Sequence, residues 1–584
     1  MLLMKNKGVY LKKVEIILKK TVIIGICLFV IACAFSTKYT SYIHKEGADK
    51  VASASKSEKR TRQIPDSANL GAYLAALQAR ENKDVDKASH YYGLALKGDP
   101  ENEKLQSEAY LVSAFAGDME LFMQTAQALK NKKGLYAPMA ILALQMKTKD
   151  YESLLAQTKE ADPNDMSGLI YPLARAWAYV GLAQYDKALD ALAPIKKDKD
   201  LWPLYLYNEA LISAAGGNLK RADDAFVRLG DTEVPTITSM LAIRKFYVKQ
   251  NAWNDKNPLY EKYYQTIREN PSLMEVLIGR ADEFDIQTPA QGLAESFYIV
   301  STVAGKQSKA PETSLLFNAL ALYLNPDAAV YKIWGAEQFE SIGYYAQANR
   351  LYGSIEHESD IIKFKMALNH MLLNEYEAAE KLLLKIYAHQ PNDRLLLGVL
   401  GDLYKDRMRL DEAVSFYTKA IRLQRAAKDK AALSKTLFSR ASVYDAMGWQ
   451  EKAEDDLIEA NALSSDDALM LNYLGYMWLD SDKNIDQAVD LIKKAHELAP
   501  DEAHIMDSLA WAYYKQGNYE KALEYAEQSV DLLPYSSMVQ SHLGDIYQAL
   551  GRSREASYQY HKALELKSDI TPELKAELEQ KLKK

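Results

Sequence analysis

Cysteine is nearly missing from this chain of 584 residues: there are two, Cys27 and Cys33, both before residue 34. The body beyond them has no disulfide, no cysteine metal site and no thiol nucleophile. Proline and glycine are also sparse, at 17 and 26 residues, so long stretches are free to be ordered and helical. The loops that carry common chemistries are absent: there is no G-x-x-x-x-G-K-[ST], H-E-x-x-H, G-x-S-x-G or G-x-G-x-x-G. None of the nine histidines pairs with another at metal-ligand spacing. His90, His370 and His561 fall inside helical repeats, and His496 beside Glu497 falls at a helix end, positions that read as surface. These absences point away from an enzyme and imply no cofactor and no metal.

Basic charge is lacking as well, except at the start. Residues 1–32 hold six lysines against Glu15, and residues 33–66 hold seven basic side chains against four acidic ones. A net charge of −7 therefore leaves about −15 on the remainder, the wrong sign for displacing phosphate counterions. No nucleic-acid partner is expected. Attraction to anionic head groups would act at the basic start.

The uncharged run Thr21–Ser36 is shorter than the roughly twenty apolar residues that span a bilayer comfortably. Preceded by lysines, it has the make-up of a signal-peptide core. It contains Val30-Ile31-Ala32-Cys33, which resembles the bacterial lipobox, and that resemblance implies cleavage before Cys33 and lipid attachment to it. An uncleaved signal anchor and plain signal-peptide cleavage stay open. Excess lysine before the run favours export of the chain beyond it, although Lys56, Lys59, Arg60 and Arg62 weaken the asymmetry. Residues 1–36 are thus read as signal or anchor, and the polar stretch 37–66 as a flexible basic tether. The expected location is the cell envelope, membrane-associated and facing the periplasm.

From residue 69 the chain repeats. Ala379, Ala413, Ala453, Ala488, Ala522 and Ala556 succeed one another at gaps of 34, 40, 35, 34 and 34 residues. One unit shows Leu509, Ala510, Tyr513, Ala522, Ala526 and Pro534; the next shows Leu543, Gly544, Tyr547, Gly551, Ala556, Tyr560 and Ala563. This pattern resembles the tetratricopeptide repeat, whose period is about 34 residues. The physical logic is that small residues sit where two antiparallel helices touch, large ones fill the space beside them, and proline ends the second helix. One pair cannot bury its apolar face, so pairs stack; the resemblance implies an all-α fold, a right-handed superhelical solenoid.

The same signature is weaker at 67–236, where Ala88, Tyr92, Ala95 and Pro100 mark one repeat. Residues 237–294 are helical by pattern, carry the breakers Asn257-Pro258, Asn270-Pro271 and Thr288-Pro289, and are read as a divergent hinge. The main array is placed at 295–570, with about six extra residues in 424–433 that should lengthen helices. Thr571-Pro572 should start a capping helix over 571–584. The layout, with "NYLGYMWLD" and "DSLAWAYYKQGNYEKALEYAEQSVDLLP", is also similar to exported alphaproteobacterial tetratricopeptide proteins, which implies little about function.

In such arrays the first helix of each pair lines the concave face. Taking the matching positions of the last repeats gives Phe438 and Asp445; Asn472, Tyr473 and Tyr476; Asp507, Trp511 and Tyr514; and Asp545. Aromatics interleaved with carboxylates and amides suit an extended peptide bearing Lys or Arg. The alternative for any one ring is packing within the array, Trp511 sealing one repeat against the next. Clamping of a peptide's terminal carboxylate, as in chaperone-binding repeats, is disfavoured by Asp507 and Asp545. The expected role is an envelope scaffold or adaptor for protein and peptide partners; the alternative is an assembly pilot or structural component of a secretion or pilus system.

Overall fold

The computed structural model describes residues 67–583, apart from 132–135, 163–164, 233–235, 269–285, 307–309, 357–358 and 568. The signal-like segment, Cys33 and the tether lie outside the described residues. Among the described residues every regular element is a helix, and no helix is long and apolar enough to cross a membrane. The fold is all-α, built from helix pairs joined by short turns.

The chain divides into two compact units, Met1–Glu375 and Tyr376–Lys584. The stretch 295–570, which the markers join into one array, is therefore shared between them.

In the second unit the pairs run Arg394–Asp406 with Leu410–Ala426, Lys430–Ala446 with Gln450–Leu463, Ala468–Asp480 with Ile485–Leu498, Ala503–Lys515 with Tyr519–Leu532, and Ser537–Ala549 with Ser553–Glu565. The six marker alanines are fully buried, at the places where helix backbones meet. Close approach is enforced by a repeated device. A Cβ added at Gly401 or Gly544 would sit 2.4 Å from the ring of Tyr417 or Tyr560. Each tyrosine then donates its hydroxyl to the residue after that glycine, Asp402 at 2.6 Å and Asp545 at 2.8 Å. Glycine makes room for the ring, and the carboxylate satisfies the hydroxyl that burial strips of water. The extra residues near 424–433 lengthen Leu410–Ala426 and Lys430–Ala446 to 17 residues each, without breaking the stack. Thr571 caps the last helix, Pro572–Lys581, by accepting from the Leu574 amide, and Leu574 and Leu578 are buried beneath it.

The first unit is built differently. Helices Pro289–Lys306 and Pro311–Leu324 do not simply continue the row. The first packs on Ala137–Thr148 and Met166–Gly181, the second on Glu103–Ala116 and Ala137–Thr148. These two helices, the central pair, thus cover earlier helices of their own unit. Residues Gly292 to Ser301 are all buried, Glu295, Ser296 and Ser301 among them, so this stretch of Pro289–Lys306 is covered on every side. Long-range contacts close the unit. Arg350 pairs with Asp86 at 2.6 Å, Lys83 donates to the Ile342 carbonyl at 3.1 Å, and Phe115 meets Phe339 edge-on at 6.0 Å.

Candidate functional site

The nine sequence-derived groove residues all lie in the second unit, and the fold gathers eight of them into two clusters. Helices Lys430–Ala446 and Ala468–Asp480 bring together Phe438, Tyr473 and Asp445. The Phe438 and Tyr473 rings meet edge to face at 5.6 Å, and the Tyr473 hydroxyl donates to Asp445 at 2.6 Å. Burial, with the Asp445 carboxylate beside it, pushes the Tyr473 hydroxyl well above its ordinary range.

The second cluster spans three repeats: Tyr476 on Ala468–Asp480, Asp507, Trp511 and Tyr514 on Ala503–Lys515, and Asp545 on Ser537–Ala549. Trp511 lies between two rings, Tyr514 at 4.6 Å and His542 at 4.3 Å, both nearly parallel to it. Tyr476 continues the row, its centroid 6.3 Å from that of His542. Both faces of Trp511 are taken, so this ring does seal one repeat against the next. The ring edges and the flanking tyrosines remain to meet a partner.

The electrostatics differ from a row of free carboxylates. Asp507 is 6% exposed and accepts from His542 Nδ1 at 2.9 Å. Burial alone would lower the histidine pKa; the carboxylate outweighs it and holds His542 above its ordinary 6.5. Asp545 takes the Tyr560 hydroxyl and also Lys581, at 2.7 Å. Burial works against the Lys581 charge, but Asp545 and Glu577 overcome it and raise the amine. Asp507 and Asp545 therefore each face a base contributed 35 or 36 residues further along, and the repulsion they would offer a carboxylate is largely offset. His542 and Lys581 were missed because they sit outside the four groove positions of the repeat. His542 is one residue past such a position, and Lys581 belongs to the capping helix.

Three polar atoms in these rows stay unspent. Asn472 Oδ1, Asp507 Oδ1 and Trp511 Nε1 are buried and meet no hydrogen-bond partner among the described residues. Buried atoms without a partner also occur elsewhere in both units, on Tyr110, Glu209 and Gln559 for example. No group of three or more His, Cys, Asp or Glu side chains is arranged to hold a metal among the described residues.

Comparison with known proteins bears on the repeats. Residues 467–535 match a tetratricopeptide-repeat family description, and residues 396–426 match a second description of the same repeat. TPR repeat-containing protein PA4667 of Pseudomonas aeruginosa is 35% identical over 109 residues, 19% of this chain and 18% of that protein. Protein O-mannosyl-transferase F38B6.6 of Caenorhabditis elegans is 29% identical over 93 residues, 16% of this chain and 14% of that protein. The chain thus spans less than a fifth of the length of these curated relatives. Among solved structures, the APC/C hetero-tetramer Cut9-Hcn1 aligns over 89% of this chain and 96% of that one, at 15% identity and a TM-score of 0.36. The period, the buried alanines and the matched segments coincide in the second unit, which carries tetratricopeptide repeats.

Proposed function

We propose that this chain is a non-enzymatic scaffold that holds an extended peptide segment of a partner protein against the first helices of unit 376–584. The observation that carries the reading is the row of half-buried aromatic rings along successive first helices, Tyr476 and Tyr514 beside Trp511. Rings exposed along one face of a helix stack on the side chains of an extended peptide, and on the cationic ones most strongly. The titratable groups of the cluster pair with each other, Asp507 with His542 and Asp545 with Lys581, which supports binding over catalysis. The lipobox-like Cys33 supports an envelope location, with the body exported and tethered through its N-terminus.

The test is selection from a phage-displayed random peptide library on the full chain. Affinities of the recovered peptides are then measured for the chain and for Tyr476→Ala and Asp507→Asn. Truncating a central aromatic contact should weaken binding about tenfold or more, and Asp507→Asn by a similar factor. Circular dichroism melts show whether each variant is folded. Recovered peptides that bind both folded variants as tightly as the original chain would place the binding surface elsewhere and sink the reading.

A further inference from the structure

Where the two ends of the first unit come together, the fold leaves a cavity of about 440 Å3, within the range of roughly 300–1,000 Å3 seen for small-molecule sites. Helix Glu103–Ala116 closes one side; Pro311–Leu324, Ala329–Ser341 and Tyr345–Gly353 form most of the rest, completed by Gly117, Met119 and the turn at Pro326 and Asp327. Its walls are apolar: Phe115, Met119, Leu315, Ala319, Leu322 and Phe339. Most of the lining is helical, so most of its main-chain donors and acceptors are spent on the helices themselves. An extended peptide entering here would lose water from its amides and find no backbone ladder in return. An aliphatic chain carries no such cost.

The polar groups at the cavity have a definite arrangement. Asn318 and Gln347 line it while only 2% and 3% exposed, and each keeps an amide oxygen with no partner among the described residues. At the rim stand Lys332 and Arg350, with Asp327 on the exposed turn between helices. Arg350 is committed to Asp86, at 2.6 Å. Lys332 is not matched in this way: it donates to the Ser354 carbonyl at 2.8 Å and meets no carboxylate among the described residues. Asp327, being solvated, is screened from the rim more strongly than a buried acid would be.

We propose that this cavity binds an aliphatic carboxylate, its chain among Phe115, Leu315, Ala319, Leu322 and Phe339 and its head group on Lys332. The site is separate from the peptide groove of the other unit and does not depend on that groove being used.

Titration calorimetry with dodecanoate on the full chain tests it, with dodecanol as the neutral-head comparison. Saturable binding of dodecanoate, accompanied by a rise in unfolding temperature, is expected. Ala319 is half-buried on the cavity wall, so Ala319→Phe should fill the space and lower affinity at least tenfold. Lys332→Gln, a surface change that leaves the walls intact, should weaken dodecanoate about tenfold and leave dodecanol unchanged, because a hydrogen bond to a charged group is lost. Absence of saturable dodecanoate binding, or equal dodecanoate affinity in the original chain and Lys332→Gln, overturns the proposal. If Ala319→Phe folds and binds dodecanoate undiminished, the aliphatic chain lies elsewhere and the proposal fails as well.

Discussion

Glu295→Gln is expected to stabilise the first unit by about 3 kcal/mol more near pH 8 than near pH 4. Glu295 is 2% exposed in the middle of Pro289–Lys306, where the central helix has no solvent stripe. The Tyr331 hydroxyl donates to its Oε2 at 2.7 Å, while Oε1 meets no partner among the described residues. The groups around it are the buried phenols of Tyr207, Tyr298 and Tyr331 and the buried hydroxyl of Thr238, with no base among them. Burial pushes the carboxyl from 4.5 up to about 7, against the smaller pull of the neighbouring hydroxyls. The folded state therefore holds this proton more tightly than the unfolded chain. That contribution to stability is complete below about pH 4.5 and is lost as pH rises through about 7. Glutamine keeps the acceptor for Tyr331 and has nothing to ionise. Urea unfolding of both proteins across this window checks the difference; a gap between them that stays constant with pH would show that Glu295 is not held in its acid form.

Gly292→Ala should cost the first unit about 3 kcal/mol or more, the upper end of what overpacking a core does. A Cβ on Gly292 would sit 2.1 Å from two atoms of the Trp177 indole. That ring cannot swing aside easily, because it is 1% exposed and its Nε1 donates to Asn208 at 3.0 Å. Asn208 is in turn tied to the Leu204 carbonyl at 2.9 Å. The matching control is Gly398→Ala, in helix Arg394–Asp406, where an added Cβ meets nothing within 4 Å. There alanine should gain somewhat under about 1 kcal/mol from helix propensity alone. Denaturant midpoints for the two variants should therefore move in opposite directions. A double variant that also carries Trp177→Leu should recover part of the Gly292→Ala loss, since the two positions are coupled by contact. Equal behaviour of the two alanine variants would mean that the central helix can shift to make room.

How much of the fold was legible in the sequence depends on which forces are periodic. The small-residue contacts recur every 34 or so residues, so Ala413, Ala522 and Ala556 could be placed on helix crossings from spacing alone. The pairing of Gly544 with Tyr560 belongs to the same repeat. The central pair was not legible. A helix such as Pro289–Lys306, buried all round over Gly292 to Ser301, shows no solvent stripe from which its neighbours can be inferred, and the earlier helices it covers lie more than a hundred residues back in the chain. Placing the start of the main array at 295 split this helix, whose first turn holds the glycine that seats it on Trp177. In the groove, the positions were legible and the electrostatic partners were not. Asp507 and Asp545 read as free acids because His542 and Lys581 reach them only through the stacking of successive elements.

The two units consequently offer different surfaces. In the first, the central pair covers earlier helices; in the second, the first helices of successive pairs carry the half-buried rings of Tyr473, Tyr476 and Tyr514. The most direct measurement is hydrogen exchange by mass spectrometry on the full chain with and without a library-selected peptide. Slowed exchange centred on Ala468–Asp480, Ala503–Lys515 and Ser537–Ala549 is the predicted result. Protection confined to the first unit, with those three helices unchanged, would contradict peptide binding by the second-unit groove.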